Sequence, residues 1–256
     1  MDYGLKGKIA LVTGTASQTG MGNAICVTLA KEGCDIVSAD IDLEGAQKTA
    51  DAIKILGRKA IAVKVNITKG SEVDEMVNTA LKKFGKIDIL VNTAGLSAMS
   101  GVPFLESKQE AWEKDLAVNL YGTMNCVKAV IPGMVEHKYG KIINFSSIVA
   151  KIGVDLTSYA AAKAAVSAFT RGLAVQYGPS GINVNAVAPG MVKTSFFAKW
   201  EEKPLDQLFA AVASTAPLRR NQTVDDIANA VAFLASDVSR NITGQVLHVD
   251  SGMVML

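Results

Sequence analysis

Tyr159 and Lys163 stand four residues apart in Tyr159-Ala160-Ala161-Ala162-Lys163, a segment of strong helical character, so the phenol and the ammonium share one face a turn apart. A phenol titrates near pH ~10, and bringing it to about 7 takes roughly 4 kcal/mol of preference for the phenolate. A neighbouring cation supplies part of that preference, and a tyrosine tuned in this way is a usable general base. Such a pair is common on helix surfaces, so its weight depends on what surrounds it. Near the start of the chain, Thr13-Gly14-Thr15-Ala16-Ser17-Gln18-Thr19-Gly20-Met21-Gly22 joins an apolar run to a helical pattern. Glycines in such a turn let the backbone approach a pyrophosphate, which the unpaired amides and positive end of the next helix attract. Gly14, Ser17, Gly20, Met21 and Gly22 are the candidate contacts; the spacing alone is a weak signal, strengthened by the order strand, turn, helix.

Asp40 ends the second apolar run about 18 residues after Gly22, where an acidic side chain meets the adenosine ribose in dinucleotide folds. A carboxylate there accepts from both ribose hydroxyls and repels a 2′-phosphate, by up to about 4 kcal/mol at ~4 Å and an effective dielectric of ~20. No Arg or Lys lies between Gly14 and Gly22 or directly after Asp40. These residues predict NAD in preference to NADP.

The scaffold that must carry these groups is legible as period. Short runs rich in Val and Ile alternate with amphipathic segments of helical spacing, the pattern of an α/β protein. Strands are expected over 9–13, 35–40, 60–65, 87–92, 141–146, 182–188 and 246–249, mostly apolar at consecutive positions, as strands covered on both faces must be. Helices are expected over 23–32, 44–56, 71–84, 112–134, 159–177 and 224–235. Gly33, Gly57, Gly85, Gly140 and Gly178 each follow a helical segment, where a left-handed residue closes the last turn. Right-handed crossovers then give a single doubly wound Rossmann-type domain over 1–256, a seven-stranded, mostly parallel sheet with helices on both faces. The stretch 190–223, with Phe196, Phe197, Trp200, Leu205, Leu208 and Phe209, reads as a helical substrate lid or as an ordinary helical excursion packed on the core.

Composition narrows the function classes. With 256 residues, 49% apolar and 20% charged, 26 basic against 24 acidic side chains and a net charge of +2, the chain carries no electrostatic footprint for nucleic acid or an anionic membrane. Cys26, Cys34 and Cys126 at irregular spacing, with His137 and His248 the only histidines, fit neither a disulfide framework nor a metal site. The first residues carry no signal-peptide run, and no stretch approaches the ~18 apolar residues of a membrane helix. A cytoplasmic protein is expected.

Together these residues resemble the short-chain dehydrogenase/reductase family over essentially the whole chain. The motifs fall in family order: the glycine turn, Asn92-Thr93-Ala94-Gly95 after the fourth strand, Asn119 in a helix, Ser147 after the fifth strand, Tyr159 with Lys163, and Pro189-Gly190-Met191-Val192-Lys193-Thr194 after the sixth. The resemblance implies that Tyr159 moves the proton of an alcohol or carbonyl. Lys163 would lower the tyrosine's pKa, jointly with the positive nicotinamide ring, and hold the nicotinamide ribose. Ser147 would hydrogen-bond the substrate oxygen, and Asn119 would hold a water linking Lys163 to solvent. Asn66, Ile67, Asn92, Ala94, Gly95, Pro189, Gly190, Val192 and Thr194 would complete the cofactor site.

Three departures qualify the match. The turn carries two more residues between Gly14 and Gly20 than the family pattern, Asn66 stands where Asp is usual, and the usual doubled Asn is Asn92-Thr93. The Asn66 amide oxygen is expected to accept from the adenine amino group. Ser147 is preferred to its neighbour Ser146 as the substrate-facing hydroxyl. Asp88, Cys126 and His137 are expected to be structural, and His248 packed or at an interface.

The leading expectation is an NAD-dependent alcohol dehydrogenase or ketone reductase for a small to medium, partly apolar secondary alcohol or ketone, with Leu96, Met99, Val149, Ile152 and Leu156 around its pocket. Lys151, Lys193 or Lys199 could receive a substrate carboxylate, though surface lysines are usually solvated. The alternatives are a 3-oxoacyl thioester reductase of the same family, which would normally favour NADPH, and a non-catalytic dinucleotide sensor. Ala-rich faces on the Tyr159 helix and the resemblance imply a homo-oligomer, a tetramer rather than a dimer.

Overall fold

The computed structural model describes residues 2–98, 102–153, 155–197 and 202–255; Met99, Lys199 and Trp200 lie outside them. Seven strands, β1 (Ile9–Thr13), β2 (Asp35–Asp40), β3 (Ala60–Lys64), β4 (Ile89–Asn92), β5 (Gly140–Phe145), β6 (Ile182–Pro189) and β7 (Val246–Val249), form one sheet in the order β3-β2-β1-β4-β5-β6-β7. Every neighbouring pair is parallel, so the sheet is wholly rather than mostly parallel.

Strand alternation sorts the core into two layers. Ala10 and Val12 of β1 point with Ile36, Ile89 and Val91 to the face covered by α1 (Met21–Lys31) and α8 (Val224–Ala235), which contribute Ile25, Leu29, Ile227 and Val231. Ile9 and Leu11 point with Val37 and Leu90 to the opposite face, closed by Val73 and Met76 of α3 (Gly70–Phe84) and Cys126 and Val130 of α5 (Gly122–His137). Helices α2 (Leu43–Ile55) and α6 (Thr157–Tyr177) complete the layers with Ile53 and Leu173 respectively. Strand order reverses between β1 and β4, so a crevice opens beyond the carboxyl ends of these two strands.

Two sequence expectations are corrected. The single helix expected over 112–134 is α4 (Gln109–Leu116), a π turn (Ala117–Tyr121) and α5; a π turn inserts a residue without disturbing apolar periodicity enough to be read. Gly33, Gly57 and Gly85 have positive φ, but Gly178 is right-handed and Gly140 begins β5. Lys138 (φ 50°) and Gly181 (φ 76°) take the left-handed positions instead. Gly140 is small for another reason: a Cβ there would lie 2.5 Å from the Met134 sulphur.

The long connection after β6 holds a 3-10 turn (Ser195–Phe197) and α7 (Glu202–Thr215), with Val192 bridged to Gln222.

Candidate active site

The crevice is lined by Gly14, Ala39, Asp40, Ile41, Val65, Asn66, Ile67, Ala94, Gly95, Leu96 and Val118. Gly14 (φ +73°) has no room for a side chain, since a Cβ would lie 2.7 Å from the Ala94 Cα. Gly22 packs more closely still, a Cβ there falling on the Gly14 carbonyl oxygen. Gly20 caps α1 with no side-chain hydrogen bond, so the first-turn amides of Met21 and Gly22 have no intrahelical acceptor. A close-packed glycine cradle, free helix-end amides and a carboxylate at the next strand end together fit a dinucleotide.

The two extra turn residues are explained by where the loop is tied. The Thr15 hydroxyl meets Ser38 Oγ at 2.8 Å, the Thr15 carbonyl accepts from Thr49 Oγ1 at 2.8 Å, and Gln18 Nε2 donates to the Ala16 and Gly45 carbonyls. The Ala16 N–H is committed to Asp40 Oδ2 at 2.9 Å and the Gly20 N–H to the Ser17 carbonyl. The amides left to meet a phosphate are thus those that open α1. Asp40 also accepts from the Asp42 N–H, which holds its carboxylate at the crevice.

Two cofactor-side residues sit differently from expectation. The Asn66 amide oxygen accepts from both the N–H and the hydroxyl of Thr68, at 3.1 and 2.8 Å, so it is not free for an adenine amino group. This local Asx turn saturates both lone pairs. Asn92 is buried beneath the crevice, donating to Asn144 Oδ1 at 2.9 Å, because strand alternation turns it toward β5. On the other side, the Gly190 N–H donates to the Val249 carbonyl and a Cβ on Gly190 would meet Gln222 Oε1 at 2.5 Å. Gln222, unmarked in the sequence, thus fixes the segment carrying Pro189, Gly190, Val192 and Thr194, where the half-buried Thr194 accepts from the Phe196 N–H.

Tyr159, Lys163, Ser147 and Asn119 converge where α6 meets the crevice. A Cβ on the crevice-lining Gly95 would lie 2.8 Å from Asn119 Oδ1 and 3.4 Å from Lys163 Nζ, so a glycine there brings these groups to the dinucleotide side. The Lys163 Nζ donates to the Phe145 carbonyl at 2.9 Å and lies 5.5 Å from the Tyr159 ring centre. Ser147 hydrogen-bonds the Tyr159 phenol, whereas Ser146 is buried against Ser167 Oγ at 2.7 Å. Asn119, in the π turn, accepts from the Leu96 N–H and donates to the Leu96 and Asp115 carbonyls.

The electrostatics differ from a pre-lowered tyrosine. Burial pushes the Tyr159 pKa up to about 12, opposed by the Ser147 hydrogen bond and reinforced by the Asp115 carboxylate. Lys163 does not offset this, because burial pulls its own pKa down to about 8 and its ammonium is turned to a backbone carbonyl. In the polypeptide alone, the expected lowering to about 7 is therefore absent.

Asp115 is the residue sequence reasoning missed. It is fully buried, accepting from the Ala98 N–H at 2.7 Å and from the hydroxyl of Ser158, the neighbour of Tyr159. The available signal was an acid four residues before Asn119 on the same helical face. Asp115→Asn removes an anion that raises the tyrosine, so the rising limb of an oxidation pH profile should move to lower pH; an unmoved limb or one moved to higher pH would contradict the coupling.

Lys193 pairs with Asp206 at 2.7 Å, and Lys151 is exposed. Leu96, Val149, Ile152 and Leu156 are half-buried. Asp88 accepts from the Ile9 N–H at the opposite sheet edge, His137 Nδ1 meets the Gly133 carbonyl, and His248 Nε2 is buried without a partner among the described residues. Burial raises the pKa of all three thiols, Cys34 and Cys126 to about 12. No group of potential metal ligands is found among the described residues, and no helix there is long and apolar enough to cross a membrane.

With this fold and site, the chain belongs to the short-chain dehydrogenase/reductase family of nicotinamide-dependent oxidoreductases. A family model described as Enoyl-(Acyl carrier protein) reductase matches residues 14–254. The chain is 40% identical over 250 residues, 97% of each chain, to (2S)-[(R)-hydroxy(phenyl)methyl]succinyl-CoA dehydrogenase subunit BbsD of Thauera aromatica. It is 37% identical to the 3-oxoacyl-[acyl-carrier-protein] reductase FabG of Staphylococcus epidermidis, over 97% of this chain and 99% of that one. Among solved structures, a candidate short-chain alcohol dehydrogenase from Sinorhizobium meliloti 1021 superposes with a TM-score of 0.90 at 30% identity, covering 98% of both chains.

Proposed function

We propose that the protein is an NAD(H)-dependent oxidoreductase that interconverts a secondary alcohol and its ketone, the carbonyl being carried on an acyl thioester. The observation that carries the redox reading is the convergence of Tyr159, Ser147 and Lys163 beside the Gly95 edge of the crevice. The thioester reading rests on relatives at 40% and 37% identity whose names specify a CoA-ester dehydrogenase and an acyl-carrier-protein reductase. It replaces an unspecified free ketone as the preferred substrate class.

When bound, the nicotinamide supplies or accepts the hydride. In reduction, Tyr159 gives its phenolic proton to the carbonyl oxygen while Ser147 donates a hydrogen bond to the same oxygen. A tyrosine held near 12 is fully protonated at neutral pH, which suits it to this acid role. Lys163, near 8, exchanges protons readily around neutrality and returns one to the phenolate. Asn119 shapes the wall beside Lys163 rather than exchanging protons, its side chain being spent on the Leu96 and Asp115 backbone groups and its carbonyl accepting from the Thr123 hydroxyl. In oxidation the phenolate is needed, and the rate climbs with pH.

The Met21 and Gly22 amides receive the pyrophosphate, for which Gly14 and Gly20 leave room beside Ser17; Asp40, Asn66 and Ile67 hold the adenosine end. Asn92 supports the turn of Ala94 and Gly95 from below, and Pro189, Gly190, Val192 and Thr194 flank the nicotinamide. The stretch 190–223 serves as a lid within one catalytic domain. Support for the lid is the aromatic chain from Tyr159 through Phe196 and Phe197 to Phe209, with ring centres 6.0, 5.3 and 5.5 Å apart. Homotetramer formation in the cytoplasm is part of the reading, supported by exposed apolar side chains such as Leu105 (98%) and Val175 (81%). Light scattering that returned a monomer would remove the tetramer.

The test is a comparison of NADH and NADPH in reduction of a short 3-oxoacyl-CoA. Repulsion at Asp40 should favour NADH in kcat/KM by about 100-fold or more. Preference for NADPH would refute the Asp40 argument, and failure with this ester but turnover of simple ketones would remove the thioester.

A further inference from the structure

Asp115, on α4, is a carboxylate with 0% exposure and no ion-pair partner among the described residues. A buried charge is costly unless its oxygens are hydrogen-bonded, and here each oxygen has a donor. Oδ1 accepts from the Ala98 N–H at 2.7 Å, and Oδ2 accepts from the Ser158 hydroxyl. The two donors come from different parts of the site. Ala98 continues the crevice wall just beyond Gly95 and Leu96, whereas Ser158 lies in the first turn of α6, directly before Tyr159.

That turn has no side-chain cap of its own. Leu156 precedes it without a side-chain hydrogen bond, and the turn holds no acidic residue, so the Asp115 carboxylate supplies the negative charge favoured at a helix start. Asn119, further along the same helical run, grips the same wall at both the N–H and the carbonyl of Leu96. We infer that Asp115 and Ser158 are positioning residues, the carboxylate tying the crevice wall at Ala98 to the start of α6 and so fixing where the Tyr159 phenol stands relative to the Gly95 edge. Both act through Tyr159. Neighbouring residues share a rigid peptide plane, so an anchor on Ser158 also constrains the Tyr159 backbone. Misplacement of a reacting group by ~1 Å can cost about 100-fold in rate. The inference rests on the reading of Tyr159 as proton donor.

Reduction of a short 3-oxoacyl-CoA by NADH at pH 7 separates position from titration, since a phenol held near 12 is protonated there. Ser158→Ala removes the α6 end of the tie and leaves the Ala98 contact, Tyr159 and Lys163 in place. Its kcat should fall about tenfold, with KM for NADH and for the ester within about twofold, because the phosphate end of the crevice lies on other elements. Asp115→Asn is the conservative variant: its amide oxygen still accepts from Ala98 and its N–H reaches the Ser158 oxygen, so kcat should stay within about threefold of wild type. A wild-type kcat in Ser158→Ala, or a loss in Asp115→Asn as large as in Ser158→Ala, overturns the inference while leaving the redox reading intact. Absence of turnover by the wild-type protein, with this ester and with simple ketones, overturns both.

Discussion

Tyr159→Phe is expected to lower kcat/KM by about 10³-fold in both directions, the usual worth of a positioned general acid or base. The ring keeps its contact with Phe196, and the change removes only an oxygen bonded to Ser147. Thermal stability should stay close to wild type, because a half-buried phenol loses one hydrogen bond worth about 1 kcal/mol and its desolvation cost together. Nicotinamide binding should also persist, since the phosphate end of the crevice lies on other elements. A variant that retained wild-type turnover would leave the phenol without a chemical role.

Lys163→Met should separate function from stability more sharply. Activity is expected to fall by at least about 100-fold, because the return of the proton to Tyr159 is lost. The fold, by contrast, should gain. Lys163 is 4% exposed and burial depresses its pKa from 10.5 to about 8. A depressed lysine costs about 3 kcal/mol in the native state wherever both folded and unfolded forms are protonated. Losing the bond to the Phe145 carbonyl returns about 1 kcal/mol of that, leaving a net gain of about 2 kcal/mol. At about 2–4 °C per kcal/mol for a chain of this size, melting near pH 7 should rise by roughly 4–8 °C. The native protein sheds the proton first, so the wild-type penalty is complete below pH 8 and disappears as pH rises toward 10.5. The melting difference between variant and wild type should therefore shrink over that window. A less stable variant at pH 7 would show that the buried ammonium is a net support of the fold.

How far the sequence carries depends on which physical signal each residue leaves. The strands were legible because burial on both faces makes them continuous apolar runs, as in Ile9–Thr13 and Ile89–Asn92. The glycine turn was legible because Gly14 and Gly22 leave no room for a Cβ, a demand only glycine meets. The π turn at Asn119 was not, since an added residue hardly alters the apolar stripe on either side. Asp115 leaves only the faint signal of its spacing from Asn119, because its value lies in contacts to Ala98 and Ser158, which are distant in sequence. The Asn66 oxygen was assigned outward from residue type alone, when its nearest donor, Thr68, stood two residues away. The tyrosine was expected to be lowered by its lysine because spacing reports proximity; it does not report burial, which here dominates both groups.

Hydride transfer itself can be followed by incubating the protein with a short 3-oxoacyl-CoA and NADH deuterated in turn at each C4 position, then examining the product by mass spectrometry. The account predicts one deuterium on the new carbinol carbon from one of the two labelled forms, with a rate reduced about 10³-fold in Tyr159→Phe. Product lacking deuterium from both forms, or labelled product formed equally fast by the phenylalanine variant, would contradict it.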